Sequence, residues 1–168
     1  MKRIVLMGFM GAGKTTVGKE LAEVLSCDFI DTDEQIEKEQ NRKISDIFEK
    51  DGEAVFRDME TELLKRLQES KGSFVLSIGG GMPVREENRE LLRNLGTVVY
   101  LKASKEELVR RLSGDTKRPL LQGGGLEEKV TALMSAREEI YKETAHRTMI
   151  TEGKMISELV KEIIHFKF

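Results

Sequence analysis

Gly8-Phe9-Met10-Gly11-Ala12-Gly13-Lys14-Thr15 decides the fold. The spacing is G-x-x-x-x-G-K-T, and both flanks agree with it. Upstream, Arg3-Ile4-Val5-Leu6-Met7 is a short apolar run of the kind that makes a buried parallel strand. Downstream, Val17, Leu21, Val24 and Leu25 recur at helical spacing and predict one apolar stripe. Strand, glycine turn and helix in that order form a phosphate-binding loop. The glycines let the backbone curl until successive N–H groups converge on phosphate oxygens, and the helix N-terminus adds partial positive charge. Lys14 is expected to reach the β- and γ-phosphates of a nucleotide, and the Thr15 hydroxyl to ligate Mg²⁺.

Working outward, Asp28-Phe29-Ile30 reads as a second short strand that ends in Asp31-Thr32-Asp33. In an open α/β sheet, ligands sit beyond the carboxyl ends of the strands, which brings Asp31 and Asp33 near the phosphate loop. If strand geometry persists, their i, i+2 spacing aims both carboxylates to one side. One can hold Mg²⁺ through water while the other orients or deprotonates an acceptor hydroxyl. The plainer alternative is that one of them caps the following helix, which is expected from Glu34 to about Glu39. Residues 44–67 read as helix, break, helix, with Asp51-Gly52 as the break. Ile44, Ile47 and Phe48 form one face, and Phe56, Met59, Leu63 and Leu67 the next stripe. Beside that stripe Arg57 is either a surface partner of Glu60 at i, i+3 or a forked clamp on a carboxylate, and periodicity alone favours the former.

A third strand, Ser73 to Ile78, runs straight into Gly79-Gly80-Gly81, which suits either a tight turn or close backbone approach to a ligand, and its position favours the ligand. A helix from Glu86, a strand at Val98–Leu101 and a helix from about Lys105 follow. Residues 114–125 resist assignment to an element; they carry Lys117, Arg118 and Pro119 and end in three glycines. That composition fits a lid, with Arg118 stabilising charge on a transferring phosphoryl group. An ordinary solvated loop is the alternative. In the next helix Arg137 shares a stripe with Val130, Leu133, Met134 and Tyr141, where it either snorkels to solvent or meets a ligand anion. Thr148-Met149-Ile150 closes the sheet, and an amphipathic helix from Ile156 ends the chain.

The 168 residues bound a single domain, 39% apolar and 35% charged, with a net charge of −2. That balance provides no global basic field for nucleic acid. Cys27 is the only cysteine, which excludes an internal disulfide, and with two histidines it makes no zinc spacing. No apolar run approaches membrane-spanning length, and the chain enters a strand at once, so a cytoplasmic protein without a signal peptide is expected.

Taken together these stretches resemble the shikimate kinases over nearly the whole chain. The carrying residues are GFMGAGKTTVGKELA at 8–22, DTD at 31–33, FEKDGEAVFRDME at 48–60, SIGGG at 77–81, RPLL at 118–121 and LMSAREEIY at 133–141. The resemblance implies a three-layer α/β/α fold around a five-stranded parallel sheet, as in nucleoside monophosphate kinases. It also implies a substrate-binding helical segment at about 32–60 and a lid at about 112–125. The implied reaction moves the ATP γ-phosphate to the 3-hydroxyl of shikimate, with Mg²⁺ held by Thr15 and Asp31. By the family pattern Gly11, Ala12, Gly13, Lys14, Thr15, Thr16, Arg111 and Arg118 bind ATP, and Lys14, Asp33 and Arg118 are catalytic. Asp33 meets the acceptor hydroxyls, Arg57 and Arg137 hold the shikimate carboxylate, and Gly79, Gly80 and Gly81 line the pocket.

The chain departs from that pattern in the loop before the last helix and in the glycine-rich 123–125 of the expected lid. Many relatives carry an Asn/Arg/Pro-rich adenine loop before the last helix, whereas Thr151-Glu152-Gly153-Lys154 is short and lacks proline. Arg111 matches the adenine-stacking position, with Arg110 adjacent. The partners expected are ATP and shikimate, with no nucleic acid or membrane, and the protein is expected to be a monomer. The nearest rival is a gluconate kinase of the same fold, since gluconate also bears a carboxylate and hydroxyls. A GTPase switch is disfavoured because no N-K-x-D motif occurs.

Overall fold

Apolar runs with β-branched residues form the middle of the sheet, because only strands buried on both faces tolerate such sequence. The computed structural model describes residues 1–113 and 119–166. Within them β1 (Arg3–Met7), β2 (Asp28–Asp31), β3 (Phe74–Ser77), β4 (Thr97–Lys102) and β5 (Arg147–Ile150) form one sheet in the order β2-β3-β1-β4-β5. Every pairing is parallel. The helices are α1 (Lys14–Leu25), α2 (Thr32–Gln40), α3 (Ile44–Lys50), α4 (Glu53–Glu69), α5 (Glu86–Leu95), α6 (Lys105–Leu112), α7 (Leu126–Thr144) and α8 (Ile156–His165).

Strand alternation splits the core in two. Val5, Met7, Leu76, Val98 and Tyr100 face α4, α5 and α7, while Ile4, Leu6, Val75, Val99 and Leu101 face α1 and α8. The result is the expected three-layer α/β/α sandwich around a five-stranded parallel sheet. On α1 the stripe differs from expectation: Val24 is exposed, and Gly18 and Ala22 join Val17 and Leu21 on the buried face. Small residues there let the helix lie close to the sheet; a β-carbon at Gly18 would run into the Phe29 ring.

Register levels the strand ends that matter. Ser77 pairs with Leu6 on one side and with Asp31 on the other, so β1, β2 and β3 finish together. The chain leaves β1 towards β2 and β3 and later crosses back to β4, which makes the carboxyl end of β1 the switch point of the sheet. Three loops gather there: Gly8–Gly13, the turn into α2, and Gly79–Gly81.

A helix start and a short turn correct the sequence-based picture. The second strand stops at Asp31, and α2 begins at Thr32 rather than Glu34, so strand geometry does not carry on to Asp33. Asp31 Oδ1 accepts from the N–H groups of Asp33 and Glu34, which satisfies two donors at the helix start. The stretch expected to lack an element holds a 3-10 turn, Pro119–Leu121, before Gly123, Gly124 and Gly125, all at positive φ.

Candidate active site

The glycine loop needs the left-handed region at Gly11 (φ 84°) and Gly13 (φ 91°), where a side chain would be strained. Gly13 is also the residue from which α1 starts, so the first N–H groups of that helix open into the cleft. Lys14 turns back over its own loop, donating to the carbonyls of Gly8 at 2.8 Å and Phe9 at 3.0 Å. The Thr15 hydroxyl donates to Asp31 Oδ2 at 3.1 Å. Asp31 therefore does two things, one oxygen capping α2 and the other facing Thr15. A hydroxyl and a carboxylate oxygen side by side are hard donors that suit Mg²⁺, which keeps several waters and takes few protein ligands. No cluster of three or more acidic, His or Cys ligands occurs among the described residues.

These groups line a cleft of about 480 Å³ with Gly11, Gly13, Lys14, Thr15, Thr16, Asp31, Asp33, Gly79, Gly80 and Arg111 on its walls. Ala12 is not one of the lining residues; its methyl is buried in the core, which leaves its backbone as the contributing part. Arg111 donates to the Gly11 carbonyl at 2.9 Å and to Glu107 at 2.8 Å. Of the adjacent pair it is Arg111 that faces the cleft, while Arg110 pairs with Glu107 in solvent. Ile156, at the start of α8, lines the same cleft just past the short Thr151–Lys154 loop.

A second recess opens from the first and shares Met10, Asp33, Gly79 and Gly80 with it. Arg57, Glu60, Gly81 and Arg137 complete its polar wall; Ile44, Phe48, Phe56, Pro119 and Leu120 form an apolar one. Arg57 keeps the Glu60 pair that the sequence offered, but not at the surface. It pairs with Glu60 at i, i+3, at 2.5 Å, and with Glu53 at 3.1 Å, yet it is buried and faces the recess. Gly81 packs flat against its guanidinium, where any β-carbon would overlap it. Arg137 does not snorkel: it is 4% exposed.

Glu60 is the residue that sequence reasoning left as a mere partner. It is 0% exposed, and its Oε2 has no hydrogen-bond partner among the described residues. Arg137 Nη1 is the other buried side-chain atom without a partner among the described residues. Burial pushes the Glu60 carboxyl up to about 7 against the pull of Arg57, with Asp33 adding to the rise and Arg137 opposing it. A β-carbon at Gly79 would come within 2.8 Å of Asp33 Oδ1 and 3.1 Å of Glu60 Oε2, so that glycine gives access to both carboxylates. A buried orphan donor and a buried orphan acceptor in one recess fit a polar anionic ligand that supplies the missing bonds. The i, i+3 spacing from Arg57 was the available signal for Glu60, but it cannot distinguish an exposed pair from a buried one.

Arg118 lies among residues 114–118, outside the described residues, as does part of the segment 112–125 expected to form a lid. Apart from Ala12, the remaining candidates line these two adjoining cavities at the carboxyl end of the sheet.

A glycine loop between β1 and α1, with Lys14, Thr15 and Asp31 beside a second polar recess, defines a P-loop phosphotransferase of nucleoside monophosphate kinase-like architecture. The sequence profile of the shikimate kinase family matches residues 10–167, and the chain belongs to that family. It is 45% identical over 166 residues to a shikimate kinase of Enterococcus faecalis, covering 98% of this chain and 97% of that one. Among solved structures it resembles the shikimate kinase from Acinetobacter baumannii in complex with shikimate, with a TM-score of 0.93 and 42% identity over 98% of this chain and 91% of that one. A gluconokinase from Sinorhizobium meliloti is 20% identical with a TM-score of 0.61, covering 96% of this chain and 88% of that one, and shares the fold alone.

Proposed function

We propose that this chain is a shikimate kinase that transfers the γ-phosphate of ATP to the 3-hydroxyl of shikimate. The observation that carries this assignment is the recess beside the phosphate loop, which buried Arg57 and Arg137 line together with Asp33. Two guanidinium groups offer forked donors to a carboxylate, and the orphan Arg137 Nη1 gains a partner when one binds.

The loop amides and Lys14 bind the phosphates, Lys14 exchanging its Gly8 and Phe9 carbonyl partners for phosphate oxygens. Thr15 and Asp31 would hold Mg²⁺, which when bound neutralises phosphate charge. Asp33 accepts the hydrogen bond of the acceptor hydroxyl and receives its proton as the new O–P bond forms. The bond between the β–γ bridging oxygen and the γ-phosphorus breaks, and ADP leaves. Gly79 and Gly80 border both cavities and allow the two substrates to approach one another. Arg111 and Ile156 flank the nucleotide end of the cleft. Arg118 in the lid would add charge stabilisation. The same assignment takes residues 32–60 as the acceptor-binding segment and 112–125 as the lid of one kinase domain, and the enzyme as a cytoplasmic monomer without nucleic-acid or membrane partners. No helix among the described residues is long and apolar enough to cross a membrane.

The test is ADP release from Mg·ATP with shikimate or gluconate as separate acceptors. Stimulation by shikimate alone is the expected result. Stimulation by gluconate alone would keep the phosphate loop and overturn the acceptor; stimulation by neither would overturn the kinase assignment.

A further inference from the structure

Asn88, on the first turn of α5, is 0% exposed and touches neither cavity. Its amide bridges two pieces of chain that meet in the acceptor recess. Asn88 Nδ2 donates to the Met82 carbonyl at 2.9 Å, immediately after Gly79–Gly81. Its Oδ1 accepts from the Thr61 hydroxyl at 2.7 Å, on α4. Thr61 is itself buried, 4% exposed, and its hydroxyl lies 3.0 Å from the Arg57 carbonyl one turn back. Met82 N–H in turn donates to the Gly79 carbonyl at 3.1 Å, closing the glycine turn.

We propose that Asn88 is a positioning residue for the acceptor: acting through Thr61 and the Met82 carbonyl, it sets the spacing between the helix that carries Arg57 and the glycine turn against which Arg57 lies. This rests on the assignment of Arg57 as the acceptor clamp. The physical demand for such a clip is the contact itself. Gly81 leaves no room for even one carbon between its backbone and the guanidinium, so a small separation or slide of α4 would displace the fork. An angstrom of misplacement in a reacting or binding group costs up to about a hundredfold in rate. A buried amide with both ends paired is stiff, because neither bond can be exchanged for water. Exposed ties run parallel to it, from Arg85 to Asp58 at 2.7 Å and to the Ala54 carbonyl at 3.2 Å. Those lie in solvent, where water substitutes for either partner.

The test measures the Michaelis constants for shikimate and for ATP, with thermal unfolding, in Asn88→Ala, Thr61→Val and Thr61→Ser. Thr61→Val keeps the side-chain volume and deletes the hydroxyl; Thr61→Ser restores it. The expected result is a shikimate KM raised about tenfold in Asn88→Ala and Thr61→Val, an ATP KM within about twofold of wild type, and rescue by Thr61→Ser. The double variant should be no worse than about the poorer single one, since both break the same bridge. Lower melting temperatures with an unchanged shikimate KM would show a purely structural role and overturn the proposal, as would a parallel rise in both constants. If Asn88→Ala does not fold, the Thr61 pair alone decides between these outcomes. Wild-type enzyme that shikimate fails to stimulate would overturn the acceptor assignment, and this proposal with it.

Discussion

Arg57 is held by Glu60 and Glu53 while its guanidinium faces a recess, so its removal does two separable things. Arg57→Ala should raise the shikimate KM by about tenfold or more, and it should also cost about 3 kcal/mol of stability by leaving Glu60 buried and unpaired. Arg57→Lys keeps the charge without the fork, so most of the KM defect should remain while much of the stability returns. Steady-state kinetics and denaturant unfolding on the two variants check both effects. Glu60 carries its own signature. Its carboxyl rises from 4.5 to about 7 on folding, chiefly through burial. Between those pH values the folded state keeps a proton that the unfolded state has released, so this stabilising contribution is complete below 4.5 and is lost as pH rises through about 7. The loss amounts to about 3 kcal/mol at about 1.4 kcal/mol per pKa unit. Unfolding of wild type and Glu60→Gln at about pH 5 and about pH 8 should show the difference, with the wild type relatively weaker at the higher pH. An equal pH dependence in both proteins would contradict it.

At the scale of elements, the turn from β2 into α2 joins helix capping to the phosphate site through one side chain. Asp31 Oδ1 caps α2, and Oδ2 takes the Thr15 hydroxyl. Asparagine caps nearly as well as aspartate but lacks the charge. Asp31→Asn should therefore leave the melting temperature almost unchanged while raising the Mg²⁺ concentration needed for half-maximal rate. Asp31→Ala should show the same metal defect and lose about 1 kcal/mol more from the missing cap. A wild-type Mg²⁺ requirement in Asp31→Asn would remove Asp31 from the metal site. Capping was visible in the sequence as one of two uses for an aspartate. That one residue both caps α2 and faces Thr15 depends on where the helix starts, and i, i+2 spacing alone left strand and helix geometry open for Asp33.

Across the whole molecule, the phosphate-loop cleft and the second recess adjoin because the sheet order β2-β3-β1-β4-β5 puts the ends of β1, β2 and β3 level. Ligand that binds only the folded state should stabilise the entire domain. ADP with Mg²⁺ at about a hundred times its Kd should add about 2.7 kcal/mol, read as a rise in melting temperature, and Lys14→Ala should remove most of that rise. The phosphate loop, the five strands and the position of the glycine turn were legible from residue type and local order, because G-x-x-x-x-G-K-T, apolar runs and glycine triplets constrain the backbone where they stand. The burial of Arg57, Glu60 and Arg137 was not. Helical periodicity fixes which face a residue occupies but not what that face is packed against, so a surface salt bridge and a buried clamp have the same spacing. Asn88 is the extreme case, a polar residue in a charged helix that nothing local distinguishes. What the sequence alone determined was the backbone that binds phosphate; only the tertiary structure decided which charges are removed from water, because burial depends on neighbours distant in the chain.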